Sequence, residues 1–419
     1  MPDSHLPGHG SHDGIIPCRP EGHGETMPAM SGTESLKADA DRMGSRLVEW
    51  RRDLHRHPEL GFEEHRTGRF LASRLRELDL EVRTGLARTG VVGILRAPHP
   101  TRPAVLLRSD MDGLPVQEVS GREYGSRVPG KMHACGHDGH MAMLLGAASL
   151  LAARRQEIGR HVLFCFQPAE EGGGGAREMI EAGVLDLVET GEVFALHLWS
   201  LFPTGTLHVR SGPIMASQDE FRARIVGLGG HAALPHRALD PVVAAAQAVT
   251  ALQAVVSRSV DPVQPAVVNV GSLHAGSAPN VIPEDARLEG TLRSFAEDVR
   301  EILRARVRET LEGCARAAGC ALEFELKPGY PAVRNDPAAV ERVRAAASEV
   351  LGATNVIEAA PMAAAEDFAY FLERVPGAFA FLGAGNEALG ITAPHHGPSF
   401  DIDESVLPRG AELLARLAL

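Results

Sequence analysis

The sequence predicts an α/β catalytic domain built on a mostly parallel sheet, interrupted by an inserted ferredoxin-like α+β domain. Two observations predict it. Apolar, strand-like runs alternate with helical stretches through most of the chain, the pattern of a sheet with helical crossovers. Within that series, residues 216–326 follow the order β-α-β-β-α-β. A chain of 419 residues has room for both, at roughly 100–200 residues per domain. The expected division is 34–215 with 327–419 for the catalytic domain and 216–326 for the insertion.

Residues 1–33 are rich in Gly, Pro, His and Ser and carry no hydrophobic period, so a disordered extension is expected. Its His5, His9, His12 and His23 read as part of a solvated tail. From Ser35 onward Leu36, Met43, Leu47, Trp50 and Leu54 recur at helical spacing. His57-Pro58-Glu59 ends that helix, because the residue before proline is pushed out of the α region. A second helix is expected over 63–78. Strand-like runs follow at Val91–Leu95, Ala104–Arg108, His161–Phe166, Val193–Leu198 and Ala378–Leu382. Helices over Gly139–Arg154 and Ala176–Ala182 separate several of them. In the insertion, strands are expected at Phe221–Val226, Ala266–Ser272, Arg287–Ser294 and Ala321–Leu326, with helices over Pro241–Val256 and Val299–Ala318.

The net charge of −12 argues against nucleic acid or an anionic membrane as partner. No apolar run reads as reaching the ~20 residues that span a bilayer. Five cysteines are an odd number with no disulfide spacing. No secretory signal is read at the start of the chain, so a reducing cytoplasm is expected. A thiol such as Cys135 is then free to bind metal.

Residues capable of metal chemistry gather after the strand-like runs. Asp110 and Asp112 follow the second, Glu170 and Glu171 the third, His197 ends the fourth, and His395 and His396 follow the fifth. In open α/β sheets ligands bind outside the carboxyl ends of the strands, so these residues are expected to converge. The densest cluster is Met132-His-Ala-Cys-Gly-His-Asp-Gly-His140. Cys135 and His137, two apart on a turning loop, can face one ion, and a thiolate with an imidazole suits zinc or a similar divalent metal. His133 and His140 are further candidates, with capping or support of a ligand as the competing role. Glu170-Glu171 follows an apolar strand and precedes four glycines, which allow close backbone approach. One carboxylate can hold a metal while its neighbour moves a proton.

These motifs resemble the aminoacylase/hippurate hydrolase family of dinuclear metal amidohydrolases, which includes the plant hydrolases of auxin conjugates. The matching segments are His55–Glu64, Ser109–Glu118, His133–His140, Gln167–Glu171, Gly229–Pro235, Ala278–Pro283, Gly290–Arg293, Glu366–Phe368 and His395–Pro398. They stand in family order over about residues 45–415. The resemblance implies Cys135, His137, Glu171, His197 and His396 as ligands of two divalent ions (Mn2+, Zn2+, Co2+ or Ni2+). It implies Glu170 as general base and Asp112 as an orienting group. His396 is preferred to His395 because the family's ligand stands two residues before a proline. Asp110 stands where more distant relatives have a histidine ligand, and its role is open. His231, Asn280 and Arg293 are implied to bind substrate, some of them across a homodimer built on the insertion. A turn cap at His231 and an acidic surface partner for Arg293 are the alternatives. The activity implied is hydrolysis of N-acyl amino acids, with a metallo-dipeptidase or carboxypeptidase as the alternative. Departures are the unbroken glycine run after Glu171 and Ala365 where relatives commonly have serine.

Overall fold

Several apolar runs are buried at every position, not at every second one, and this decides where they sit. Along Ala104–Asp110, Val105 and Leu107 enter one core while Ala104 and Leu106 enter another. Phe164 and Phe166 likewise oppose Leu163 and Cys165, and Ala378 and Ala380 oppose Phe379 and Phe381. A strand covered on both faces reads as a continuous apolar run.

The computed structural model describes residues 35–419; the extension expected over 1–33 lies outside the described residues. Its eight-stranded sheet has the spatial order Glu81–Leu86, Gly90–Leu95, Val162–Gln167, Ala104–Asp110, Thr190–Pro203, Gly377–Gly385, Leu207–Val209, Val356–Glu358. The four strands from Val162–Gln167 to Gly377–Gly385 run parallel. An antiparallel hairpin, Glu81–Leu86 with Gly90–Leu95, closes one edge. The parallel strands therefore present their carboxyl ends on one side. The helix His137–Ala152 is buried along nearly its whole length, as a central crossover helix must be.

The single helix expected from Ser35 is two, Leu36–Arg42 and Gly44–Arg56, joined at Met43. Ser35 caps the first through its side chain, and Gly44 weakens continuation. The helix expected over 63–78 runs His65–Glu77.

The second sheet is antiparallel, in the order Ala266–Ala275, Asp285–Ser294, Ser217–Val226, Ala321–Pro328. Two helices, Pro241–Ser259 and Glu297–Ala317, cover one face. Phe221, Ala223, Ile225, Leu288 and Leu292 pack there against Ala244, Ala248, Leu252, Leu303 and Val307. This is the ferredoxin-like arrangement, inserted between strands of the parallel sheet. Among the described residues one helix, Pro241–Ser259, is long and apolar enough by composition to cross a membrane, which differs from the expectation that no apolar run reaches that length. Here its inner face lies on the sheet, and Val242 and Val243 stand on its exposed face.

Candidate metal centre

Each candidate ligand is delivered by the carboxyl end of a strand or the loop after it. Cys135 and His137 bracket Gly136, whose φ of +89° starts the buried helix. That left-handed turn, which glycine adopts without strain, turns both side chains to one point. Cys135 Sγ lies 3.6 Å from His197 Nε2. His396 Nε2 lies 3.2 Å from Glu171 Oε1. Ligand atoms of Cys135, His137 and His197 lie within 4.8 Å of one another, and so do those of Cys135, Glu171 and His396, and of His137, Glu170 and Glu171. Cys135 belongs to two of these triads.

The histidines sort by what their ring nitrogens already do. His137 donates Nδ1–H to the Asp112 carbonyl at 2.9 Å, and His197 donates Nδ1–H to the Leu198 carbonyl at 2.8 Å. Both are left with Nε2 for an ion, the arrangement that outer hydrogen bonds impose on metal-binding imidazoles. His140 has neither nitrogen to spare: Nδ1 donates to Asp110 at 2.6 Å and Nε2 accepts from the Leu198 amide at 2.8 Å. It supports the strand that carries His197. His395 commits Nε2 to the Leu198 carbonyl and stacks on Trp199, while Nδ1 sits near Ser200. His133 is buried with both nitrogens unpartnered, but joins none of the triads. Two buried atoms at the centre, His137 Nε2 and Glu171 Oε1, have no well-formed hydrogen bond. A thiol, imidazoles and carboxylates with such orphaned atoms fit divalent cations.

The electrostatics agree. Burial pushes the Cys135 thiol well up, and the Glu171 and Glu170 carboxylates push the same way. Burial opposes protonation of His137, yet Asp110 and Asp112 outweigh it and carry the imidazole up to about 10. Burial, then Glu366 and Glu171, hold Glu170 well above the usual carboxylate range. A cluster that holds protons so firmly gives them up on taking a cation.

Asp110 is occupied: Oδ1 accepts from His140 and Oδ2 from Arg108, at 2.6 and 2.8 Å. Arg108 is buried and also reaches Glu366, Asp367 and Gln167 at 2.8–3.0 Å. Removing one partner from such a buried charge cluster costs about 3–5 kcal/mol. Arg108 is thus the paired cation of Glu366 and Asp367, whose carboxylates lie within 4.8 Å of that of Glu170.

The loop bearing Glu170 is tied at several points. Ala169, a non-glycine, sits at φ +50°, and its amide donates to Glu64 at 2.9 Å. The Glu171 amide donates to Asp112 Oδ2 at 3.0 Å and the Ala176 amide to Asp367 at 2.9 Å. A Cβ at Gly175 would fall 1.7 Å from the Pro168 carbonyl oxygen, which accounts for the last glycine of the run.

A cavity of about 640 Å³ lies over the cluster; Cys135, Glu170, Glu171, His197, His396, Tyr330 and Arg293 are among its lining residues. Arg293 donates to the Ala363 carbonyl at 2.9 Å, and no carboxylate among the described residues pairs with it. His231 and Asn280 do not line this cavity. Both are exposed, His231 on the short ladder Gly230–His231 with Val281–Ile282 and Asn280 in the turn before it, and His231 Nδ1 accepts the Ala233 amide, as a turn cap does. The sequence reading missed Arg108, Glu64 and Tyr330 as parts of the site. Arg108 carried a signal, since a charge inside a wholly apolar strand needs partners; Tyr330 carried none.

The sequence model of peptidase family M20/M25/M40 matches residues 106–419. The chain belongs to this family. Among the M20 relatives, "Thermostable carboxypeptidase 2" of Saccharolobus solfataricus is 40% identical, covering 93% of this chain and 99% of the relative. "IAA-amino acid hydrolase ILR1-like 4" of Arabidopsis thaliana is 40% identical over 89% of this chain and 84% of its own length. A solved M20 structure, the Bacillus subtilis YXEP protein described as a dinuclear metal binding peptidase, superposes with TM-score 0.79 at 36% identity, covering 90% of this chain and 98% of that one. The family assignment agrees with the amidohydrolase resemblance read from the motifs.

Proposed function

We propose that this M20 chain hydrolyses the amide bond of N-acyl amino acids, releasing a carboxylic acid and a free amino acid. The observation that carries this reading is one cavity holding both the ligand cluster and an Arg293 guanidinium without a carboxylate partner. Cys135, His137, Glu171, His197 and His396 would hold two divalent ions, drawn from Mn2+, Zn2+, Co2+ and Ni2+. Such ions lower the pKa of water and polarise an acyl carbonyl. Glu170, poised to hold a proton, takes one from water at its carboxylate and returns it to the leaving nitrogen. Asp112 orients His137 and the Glu171 backbone. Arg293 pairs with the substrate carboxylate, a geometry suited to guanidinium.

The chain divides functionally into a catalytic domain, 34–215 with 327–419, and an inserted domain, 216–326, which forms a homodimer. Supporting this are the exposed Val243 on the helix Pro241–Ser259 and the exposed Val267 and Leu273 on the edge strand Ala266–Ala275. An unpaired edge strand invites a second copy. His231 and Asn280, beside exposed Leu228 and Val281, then serve the site of the other subunit. The substrate is a small molecule; nucleic acid and membrane are not partners in this reading. Cys135, Cys165, Cys314 and Cys320 are free, which suits a reducing cytoplasm.

A carboxypeptidase relative at the same identity favours a second reading, cleavage of dipeptides or C-terminal residues at the same centre. The test is a panel of N-acetyl and N-benzoyl amino acids against dipeptides, with metal-depleted protein reloaded with each ion. Faster turnover of N-acyl amino acids is expected. Turnover of dipeptides alone would replace the first reading with the second.

A further inference from the structure

The chain leaves the inserted domain through the strand Ala321–Pro328, and Tyr330 stands two residues past its end. Its hydroxyl donates to the Glu170 carbonyl at 2.7 Å and accepts the Gly174 amide at 3.1 Å. One phenol therefore spans the glycine loop that carries the base. The same segment is fastened to the inserted domain. The Tyr330 carbonyl accepts the Gln218 amide at 2.9 Å, and the Gly329 amide donates to Asp219 at 3.0 Å. Asp219 is itself buried and paired with Arg300 and Arg304, each at 2.7 Å. Arg300 also donates to the Gly329 carbonyl at 3.0 Å.

We propose that Tyr330 is a positioning residue that transmits the orientation of the inserted domain to the backbone of Glu170. The proposal rests on the reading of Glu170 as the base. Arg293 lies on the inserted sheet, on the strand paired with Ser217–Val226, the strand that carries Asp219. A substrate carboxylate drawn to Arg293 fixes that sheet, the sheet fixes Asp219 and Gly329, and Tyr330 fixes the loop. Ala169 at φ +50° shows a loop held away from its preferred backbone, a state that persists only while its surroundings impose it. Substrate recognition and base placement are thus one event, in the manner of closure that completes a catalytic site.

The test measures kcat and KM of Tyr330→Phe on N-acetyl-L-methionine and on N-acetyl-L-methioninamide, which lacks the carboxylate. Melting temperature and metal content are measured alongside. Loss of the hydroxyl should lower kcat for the acid about tenfold, the effect of roughly one hydrogen bond. KM and metal content stay unchanged, and the amide loses much less. Tyr124→Phe is the matched control: it loses a part-buried phenol hydroxyl that donates to Asp401 at 2.7 Å, away from the cavity and from the base loop. It should keep kcat. Unchanged kcat in Tyr330→Phe, equal losses on acid and amide, or an equal loss in Tyr124→Phe would overturn the proposal. Glu170→Gln run in parallel separates the two failures, because an active Glu170→Gln refutes the base reading itself. Should Tyr330→Phe not fold, amide exchange in Glu170→Gln with saturating N-acetyl-L-methionine decides. Joint slowing at 170–175 and 329–330 supports the coupling, and independent responses refute it.

Discussion

Two glycine-bearing loops, 167–176 and 229–235, carry equally clear family motifs, yet they behave as opposites in the structure. The first is tied from Glu64, Asp112, Asp367 and Tyr330 and faces the cavity. The second is exposed at the end of a two-residue ladder, with His231 capping its own turn. The residues proposed to bind metal and to act as base converge within one chain, whereas the proposed substrate-binding set is split. Arg293 joins the cavity from its own chain, and His231 and Asn280 have work to do only if a second subunit brings them near.

The largest effect should come from the tied loop. Glu170→Gln keeps the size of the side chain but cannot accept the proton, and should lower kcat by about 10²–10⁴ with metal content intact. Steady-state kinetics with elemental analysis checks it; near-normal turnover would remove Glu170 from its role. Arg293→Met tests the in-chain member of the substrate set. It should cost about 2–5 kcal/mol on N-acyl amino acids, read in KM and in kcat together, and little on acyl amides without the carboxylate. Equal losses would make Arg293 structural.

Smaller effects sharpen the comparison. His140→Ala removes the support beneath the His197 strand and should weaken metal affinity about 10–100-fold, measured by competition with a chelator. Affinity should also rise with pH. Cys135 and His137 hold their protons above neutral pH, so taking up a cation releases them, and a higher pH favours that release. The smallest signal tests the split set. Inactive His231→Ala and Glu170→Gln proteins, mixed and allowed to exchange subunits, should recover about a quarter of wild-type activity, as random pairing in two-fold dimers gives. No recovery with proven exchange would place His231 in its own chain's site or in none.

Much of this was legible because the motifs and the fold obey the same rule. Fully apolar runs marked buried parallel strands, and the polar residues following them marked the site. Other parts left weaker traces. Glu81–Leu86 is a half-exposed edge strand with no clean alternation, so no period announces it. The division of the first helix at Met43 turns on Gly44, whose propensity is only a modest bias. Among the histidines, His137, His140 and His395 are equivalent as letters; only their hydrogen bonds distinguish an available Nε2 from a committed one. Tyr330 is a single aromatic residue after Pro-Gly, and its meaning lies entirely in the two backbone groups it meets.

One cluster of residues from a single chain is proposed to bind the ions on which amide hydrolysis depends. The direct measurement is a metal titration of fully chelated protein, following bound ions per chain and hydrolysis of an N-acyl amino acid together. No turnover is expected at zero metal and full recovery as two ions bind per chain, with Cys135→Ala failing to bind them. Undiminished hydrolysis by metal-free protein, or recovery in Cys135→Ala equal to wild type, would contradict it.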